Sequence, residues 1–157
     1  MRISGLVDAD FVNYRKISMF VGMPFCSFKC EKESGIECCQ NAKLLNAKHY
    51  EISVDELVDR YIKCDVSEAV VFGGLEPMDS FDEVFPFISE LRQYCDDDIV
   101  IYTGYYPNEI ADELAALRKF KNITVKFGRY QPGQKSHYDE VLGVDLASDN
   151  QWAERIS

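Results

Sequence analysis

The sequence predicts one α/β domain over residues 1–157, built on a sheet of mostly parallel strands that curls into a partial (βα) barrel. Three observations predict it. Short apolar runs alternate with helical patterns, the signature of βαβ units. Right-handed crossovers then gather the helices on one face. The three segments of unusual chemistry each follow a predicted strand, and functional loops of such folds lie at the carboxyl ends of strands.

The elements follow in chain order. Ile17–Val21 is short, apolar and partly β-branched, hence a strand. It runs into a loop bearing Cys26, Cys30, Cys38 and Cys39, whose polar stretch 31–37 contains a Gly and reads as irregular. Ser53 opens a helix. Glu56 completes a capping box, Ile52 and Leu57 form the staple, and Leu57, Val58, Tyr61 and Ile62 give the apolar face. Ala69–Phe72 is a buried strand ending at Gly73-Gly74. Phe81, Val84, Phe85, Ile88 and Leu91 recur at helical spacing from Ser80, with Pro86 expected to kink the helix or delay its start. Ile99–Tyr102 is the next strand and leads to Thr103-Gly104. Pro107 suits the first turn of a third helix carrying Ile110, Leu114 and Leu117, and Ile123–Val125 is a further strand.

Composition narrows the function. The 157 residues suffice for one core that buries roughly 70% of the unfolded surface, so no disulfide staples are required. A formal net charge of −10 argues against a nucleic-acid partner, whose phosphates must meet Lys and Arg. No run of 18 apolar residues predicts a membrane span. The N-terminal residues are acidic by Asp8 and lack a signal-peptide apolar core, so a cytoplasmic, reducing compartment is expected. There, clustered cysteines serve as metal ligands or catalytic groups more often than as disulfides.

Four sulfurs within 14 residues could bind zinc, but Cys38 and Cys39 are adjacent, and neighbouring side chains of an extended chain point apart. Three sulfurs on three corners of an iron–sulfur cube strain the loop less and leave one iron open to a substrate. Structural or redox thiols are the remaining reading. Cys64 and Cys95 are isolated and read as packing residues.

The whole set resembles the radical S-adenosylmethionine superfamily and, more closely, the activating proteins of anaerobic ribonucleotide reductase. Phe11-Val12-Asn13 with Ile17–Val21 is similar to that family's lead-in strand. Cys26-Ser27-Phe28-Lys29-Cys30 matches the first part of its Cys-x-x-x-Cys motif, and Cys39-Gln40-Asn41 its third cysteine with trailing residues. Val71–Pro77 resembles its glycine-rich strand end with an acid and a Pro. Tyr102-Thr103-Gly104-Tyr105 resembles its Trp-Thr-Gly-Tyr segment, and Ser148-Asp149-Asn150-Gln151 its C-terminal Ser-Ser-Asn-Gln. Two departures stand out. The family places two residues between its second and third cysteines, whereas eight separate Cys30 from Cys39 and seven separate Cys30 from Cys38. Cys39 keeps Gln40-Asn41 in family register, with Cys38 the alternative ligand. Leu75 stands where the family has a second glycine, so its side chain must point away from the cofactor or reshape the site.

The resemblance implies a [4Fe-4S] cluster held by Cys26, Cys30 and Cys39, with S-adenosylmethionine as second cofactor. Gly73, Gly74, Glu76, Pro77, Thr103, Gly104 and Asn41 are its implied binding residues. Glu76 would receive the ammonium. Reductive cleavage would give a 5′-deoxyadenosyl radical that takes hydrogen from a glycine of an anaerobic ribonucleotide reductase or other glycyl-radical enzyme, with an electron donor such as flavodoxin. No side-chain acid or base is needed beyond the cluster. The other readings are a small-molecule radical enzyme and a non-catalytic zinc or iron–sulfur module. Asp96-Asp97-Asp98 reads as a solvated loop. Lys126, Arg129 and Lys135 read as solvent-exposed, with contact to a carboxylate or a partner the alternative, and His49 and His137 receive no role.

Overall fold

The computed structural model describes residues 1–157. The strands are β1 (Arg2–Ile3), β2 (Gly5–Asp10), β3 (Ser18–Met23), β4 (Tyr50–Glu51), β5 (Ala69–Gly74), β6 (Asp98–Tyr102), β7 (Ile123–Phe127), β8 (His137–Asp139), β9 (Val144–Leu146) and β10 (Trp152–Arg155). The helices are α1 (Lys29–Ser34), α2 (Val54–Ile62), α3 (Phe81–Leu91) and α4 (Ala111–Leu117). A six-stranded sheet runs β10-β7-β6-β5-β3-β2. Its four central strands are parallel, and β2 and β10 lie antiparallel at the edges. The sheet is open between those edges, so no closed barrel forms.

The order β3-β5-β6-β7 advances in one direction, and α2, α3 and α4 make the three crossovers. Successive right-handed crossovers in one direction place the helices on one face. The core records this. Leu57, Val58 and Tyr61 of α2, Val84, Phe87, Ile88 and Leu91 of α3, and Leu114 and Leu117 of α4 pack with Met19, Val21, Val70, Phe72, Ile99, Ile101, Ile123 and Val125 of the sheet. Alternate residues of the same strands face the other way. There Ala69, Val71 and Val100 meet Tyr14, Leu142 and Leu146 in a smaller core.

The Ser53 capping box forms as the sequence predicts, with reciprocal bonds of 3.1 Å between Ser53 and Glu56. α3 runs through Pro86 instead of starting after it; the ring sits on the exposed side, where a missing N–H costs least. Pro107 opens a short 3-10 turn, and α4 begins only at Ala111.

Several expectations are corrected. Of the stretch 31–37 read as irregular, residues 31–34 belong to α1, which is stopped by Gly35 in the left-handed region at φ 72°. Phe11 and Val12 are exposed in the turn joining β2 to β3 and belong to no strand. Asp98 is not solvated: it is 5% exposed, pairs with Lys16 Nζ at 2.6 Å and accepts from Tyr14 Oη at 3.1 Å. Lys126 and Arg129 are buried as well, and only Lys135 of the three basic residues is exposed. No helix is long and apolar enough to cross a membrane.

Candidate metal centre and cofactor cleft

The chain leaves β3 at Met23 and is zipped to the segment after β5. Leu75 N–H donates to Met23 O at 3.0 Å, and Glu76 N–H donates to Phe25 O at 2.8 Å. This fixes where Cys26 emerges. Asp79 takes Ser27 N–H on one oxygen and the Tyr105 hydroxyl on the other, tying the cysteine loop to the β5 and β6 ends. Phe28 then adopts a left-handed backbone at φ 55°, unusual for a bulky residue, and turns the chain into α1. Its N–H points at Cys26 Sγ, 3.2 Å away. Cys30 sits in the first turn of α1. Cys39 N–H donates to Glu31 Oε1 at 3.1 Å, and the Asn41 amide donates to Gly74 O at 2.5 Å, closing the loop back onto β5.

Cys26, Cys30 and Cys39 thereby line one cleft of about 530 Å³, together with Asn41, Gly73, Gly74, Glu76, Thr103 and Gly104. Cys38 is off its wall, with the Ser34 hydroxyl 3.3 Å away. Pro77, buried at the first position of a 3-10 turn, does not line the cleft. Cys64 and Cys95 lie elsewhere, Cys95 packed against the main core and Cys64 3.7 Å from Asp8 O. Leu75 faces the cleft as part of its apolar wall.

The two glycines serve different ends. A Cβ on Gly73 would lie 2.8 Å from the Phe20 ring, so this glycine makes room for an aromatic wall. Gly74 has φ +83°, and a Cβ there would meet Gly22 Cα and Met23 N at 3.0 Å. It lets β3 and β5 converge where the cysteine loop departs.

The donor set accepts an iron–sulfur cluster. Burial pushes the Cys26 thiol up to about 12 and, with Cys38 and Cys39 nearby, Cys30 up to about 11; burial raises Cys39 too. Thiols this reluctant to ionise become thiolates when a metal displaces their protons. The Phe28 N–H aimed at Cys26 is a hydrogen bond of the kind that sulfur bound to iron takes. No three His, Cys, Asp or Glu side chains stand close enough to enclose a single metal ion.

The same cleft holds two buried charged groups, Glu76 and Lys126. Glu76 is 6% exposed and accepts from Thr103 Oγ1 at 2.7 Å, Gly104 N–H at 2.8 Å and Met78 N–H at 3.0 Å. Burial outweighs these bonds and pushes its carboxyl up to about 7. Burial pulls Lys126 down to about 8, with Glu76 working the other way. Titratable groups displaced toward neutrality in a cleft mark functional sites more often than plain surface.

Arg129 braces the rim. Its Nη2 meets Glu109 Oε1 at 2.5 Å, its Nε lies 3.3 Å from Glu33 of α1, and its guanidinium covers Tyr106 at 4.7 Å. Lys29 of α1 meets the same Glu109 oxygen at 3.2 Å and the Tyr105 ring at 4.2 Å. Burial opposes ionisation of Glu109, but bonds from Arg129, Tyr106 N–H and Lys29 hold its carboxyl down at about 2. The C-terminal motif supports this bend: Asn150 donates to Arg129 O at 2.8 Å and Gln151 to Gly128 O at 3.2 Å.

Asp79, Lys126 and the Arg129–Glu109 pair were missed by the sequence reading. Asp79 stands three residues after Glu76 in a Pro-initiated turn, a signal that the motif continues. The basic pair carries no such signal. A family model described as a 4Fe-4S single cluster domain matches residues 15–151 of the chain. No curated protein and no solved structure matches it.

Proposed function

Because the chain belongs to the 4Fe-4S single cluster domain family, we propose that it is a radical S-adenosylmethionine enzyme that activates a glycyl-radical enzyme, namely an anaerobic ribonucleotide reductase. The observation behind this reading is the sharing of one cleft by Cys26, Cys30 and Cys39, the Gly73-Gly74-Glu76 turn and Thr103-Gly104. The helices lie on one face of the sheet, as a partial (βα) barrel requires.

Cys26, Cys30 and Cys39 would hold the [4Fe-4S] cluster, with Cys38 outside the set. The cluster, when bound and reduced, supplies the electron that splits the sulfonium carbon–sulfur bond of S-adenosylmethionine, yielding methionine and a 5′-deoxyadenosyl radical. The chain's own residues place that cosubstrate. Glu76 uses three donors against roughly four acceptor sites of a carboxylate, which leaves room for one ammonium N–H. Phe20 and Leu75 supply apolar wall, and Asn41 and Asp79 fix the loop carrying the thiols.

The partner reading rests on resemblance and charge. A net charge of −10 favours a basic patch on the reductase and an association weakened by salt. An electron donor such as flavodoxin would reduce the cluster. The test mixes the protein anaerobically with a co-encoded reductase, S-adenosylmethionine and a reductant, then records the electron paramagnetic resonance spectrum. A glycyl-radical doublet lost on Gly→Ala at the target supports the activase. A metabolite turned over by this chain alone, with no radical on the reductase, overturns it.

A further inference from the structure

Five charged side chains are buried: Asp98 and Arg129 carry ion pairs, Glu76, Asp139 and Lys126 do not, and Lys126 is the one cation among the unpaired. Asp98 has Lys16 and Arg155, and Arg129 has Glu109 and Glu33. Lys126, 6% exposed near the carboxyl end of β7, has no ion-pair partner. Its Nζ donates to Gly128 O at 2.8 Å and lies 3.5 Å from Thr103 O. Two carbonyl oxygens are poor compensation for a buried ammonium. Glu76 is near enough for its field to favour the ammonium but makes no ion pair with it, its oxygens accepting from Thr103, Gly104 and Met78. This unpaired ammonium lines the cleft that Cys26, Cys30 and Cys39 share.

We propose that Lys126 is the built-in counter-charge of the iron–sulfur cluster and holds its reduction potential up. The proposal rests on the iron–sulfur reading above. Three thiolates around a doubly positive four-iron core carry one net negative charge, and one-electron reduction makes it two. A fixed ammonium in a low-dielectric wall favours the more negative state, and charge and hydrogen bonding near a cluster are what set its potential. Lys126 thus acts on the electron through the field and touches neither iron nor cosubstrate.

The experiment compares wild type with Lys126→Met, Lys126→Gln and Lys126→Arg. All are reconstituted anaerobically and titrated with dithionite, which delivers one electron per cluster, while the reduced-cluster paramagnetic signal is followed. The two neutral variants are expected to be at least tenfold harder to reduce, a potential about 59 mV more negative. Gln keeps a donor to Gly128 O, so equal shifts in Met and Gln assign the effect to charge. Lys126→Arg should stay near wild type. Loss of the cluster from both neutral variants but not from Arg also supports a counter-charge. Loss from all three with circular dichroism intact overturns it, since size and not charge would then be what the site requires. An unchanged potential with weakened S-adenosylmethionine binding by equilibrium dialysis overturns it too, and gives Lys126 to the cosubstrate's carboxylate. A wild type that binds no iron refutes the function proposed above, whereas a cluster insensitive to Lys126 refutes this inference alone.

Discussion

Replacing Glu76 by Gln tests the electrostatics of the cleft without any cofactor. Burial raises the Glu76 carboxyl from its ordinary 4.5 to about 7. As the pH falls, the folded protein therefore takes up this proton before the unfolded chain does. Stability rises as pH drops from 7 toward 4.5 and is lost as pH climbs back through that window. Each tenfold difference in proton affinity is about 1.4 kcal/mol, so the whole window is worth about 3 kcal/mol, most of it between pH 8 and pH 5. Glutamine removes this term but mispairs. Its oxygen can face Met78 N–H and Thr103, or Gly104 N–H, and either orientation sets its NH₂ against a backbone N–H. That mispairing costs about 1–3 kcal/mol at every pH. The variant should be less stable than wild type by about 1–3 kcal/mol at pH 8, and by about 2–3 kcal/mol more than that at pH 5. Urea unfolding of both iron-free proteins under reducing conditions, at several pH values, reads this directly. A stability difference that stays constant from pH 5 to pH 8 would refute the reasoning.

Other outcomes follow from the same geometry. Alanine at Cys26, Cys30 or Cys39 should abolish iron incorporation, while Cys38→Ala, Cys64→Ala and Cys95→Ala should retain it; full iron content in Cys39→Ala would transfer the ligand role to Cys38. Gly73→Ala drives a Cβ to 2.8 Å from the Phe20 ring and should cost about 1–3 kcal/mol. Gly74→Ala should cost more, since φ is +83° and the clashing atoms are backbone; thermal melts rank the two. Arg129→Ala removes the brace between α1 and the β7 bend, so hydrogen exchange across 29–34 should quicken while that of α3 stays unchanged.

The legible parts of this sequence are those whose pattern is local. The Ser53–Glu56 box, the Ala69–Phe72 run and the apolar repeat of α3 state their structure within one or two turns of chain. α1 was missed because its residues, Lys29 to Ser34, have no apolar period and none of them is buried, and the three-residue strands β8 and β9 are too short for alternation to register. Asp98 misled because its partners Tyr14 and Lys16 are over 80 residues away in sequence. Lys126 misled more instructively. Ile123-Thr124-Val125-Lys126-Phe127 alternates like a half-solvated strand, yet both faces are buried, one by helices and the other by the cleft. For the site, the thiols, Gly73-Gly74 and Thr103-Gly104 were visible as strand-end motifs. Lys126 was hidden by that alternation.

One measurement tests the proposed chemistry most directly. The anaerobically reconstituted protein is reduced in the presence of S-adenosylmethionine, and 5′-deoxyadenosine is quantified alongside iron and sulfide, with the Cys26, Cys30, Cys39 triple alanine variant as control. The expected result is about four iron and four sulfide per chain, 5′-deoxyadenosine and methionine in equal amounts, and neither product from the variant. A reducible cluster of full stoichiometry that yields no 5′-deoxyadenosine, with or without the partner reductase, would contradict it.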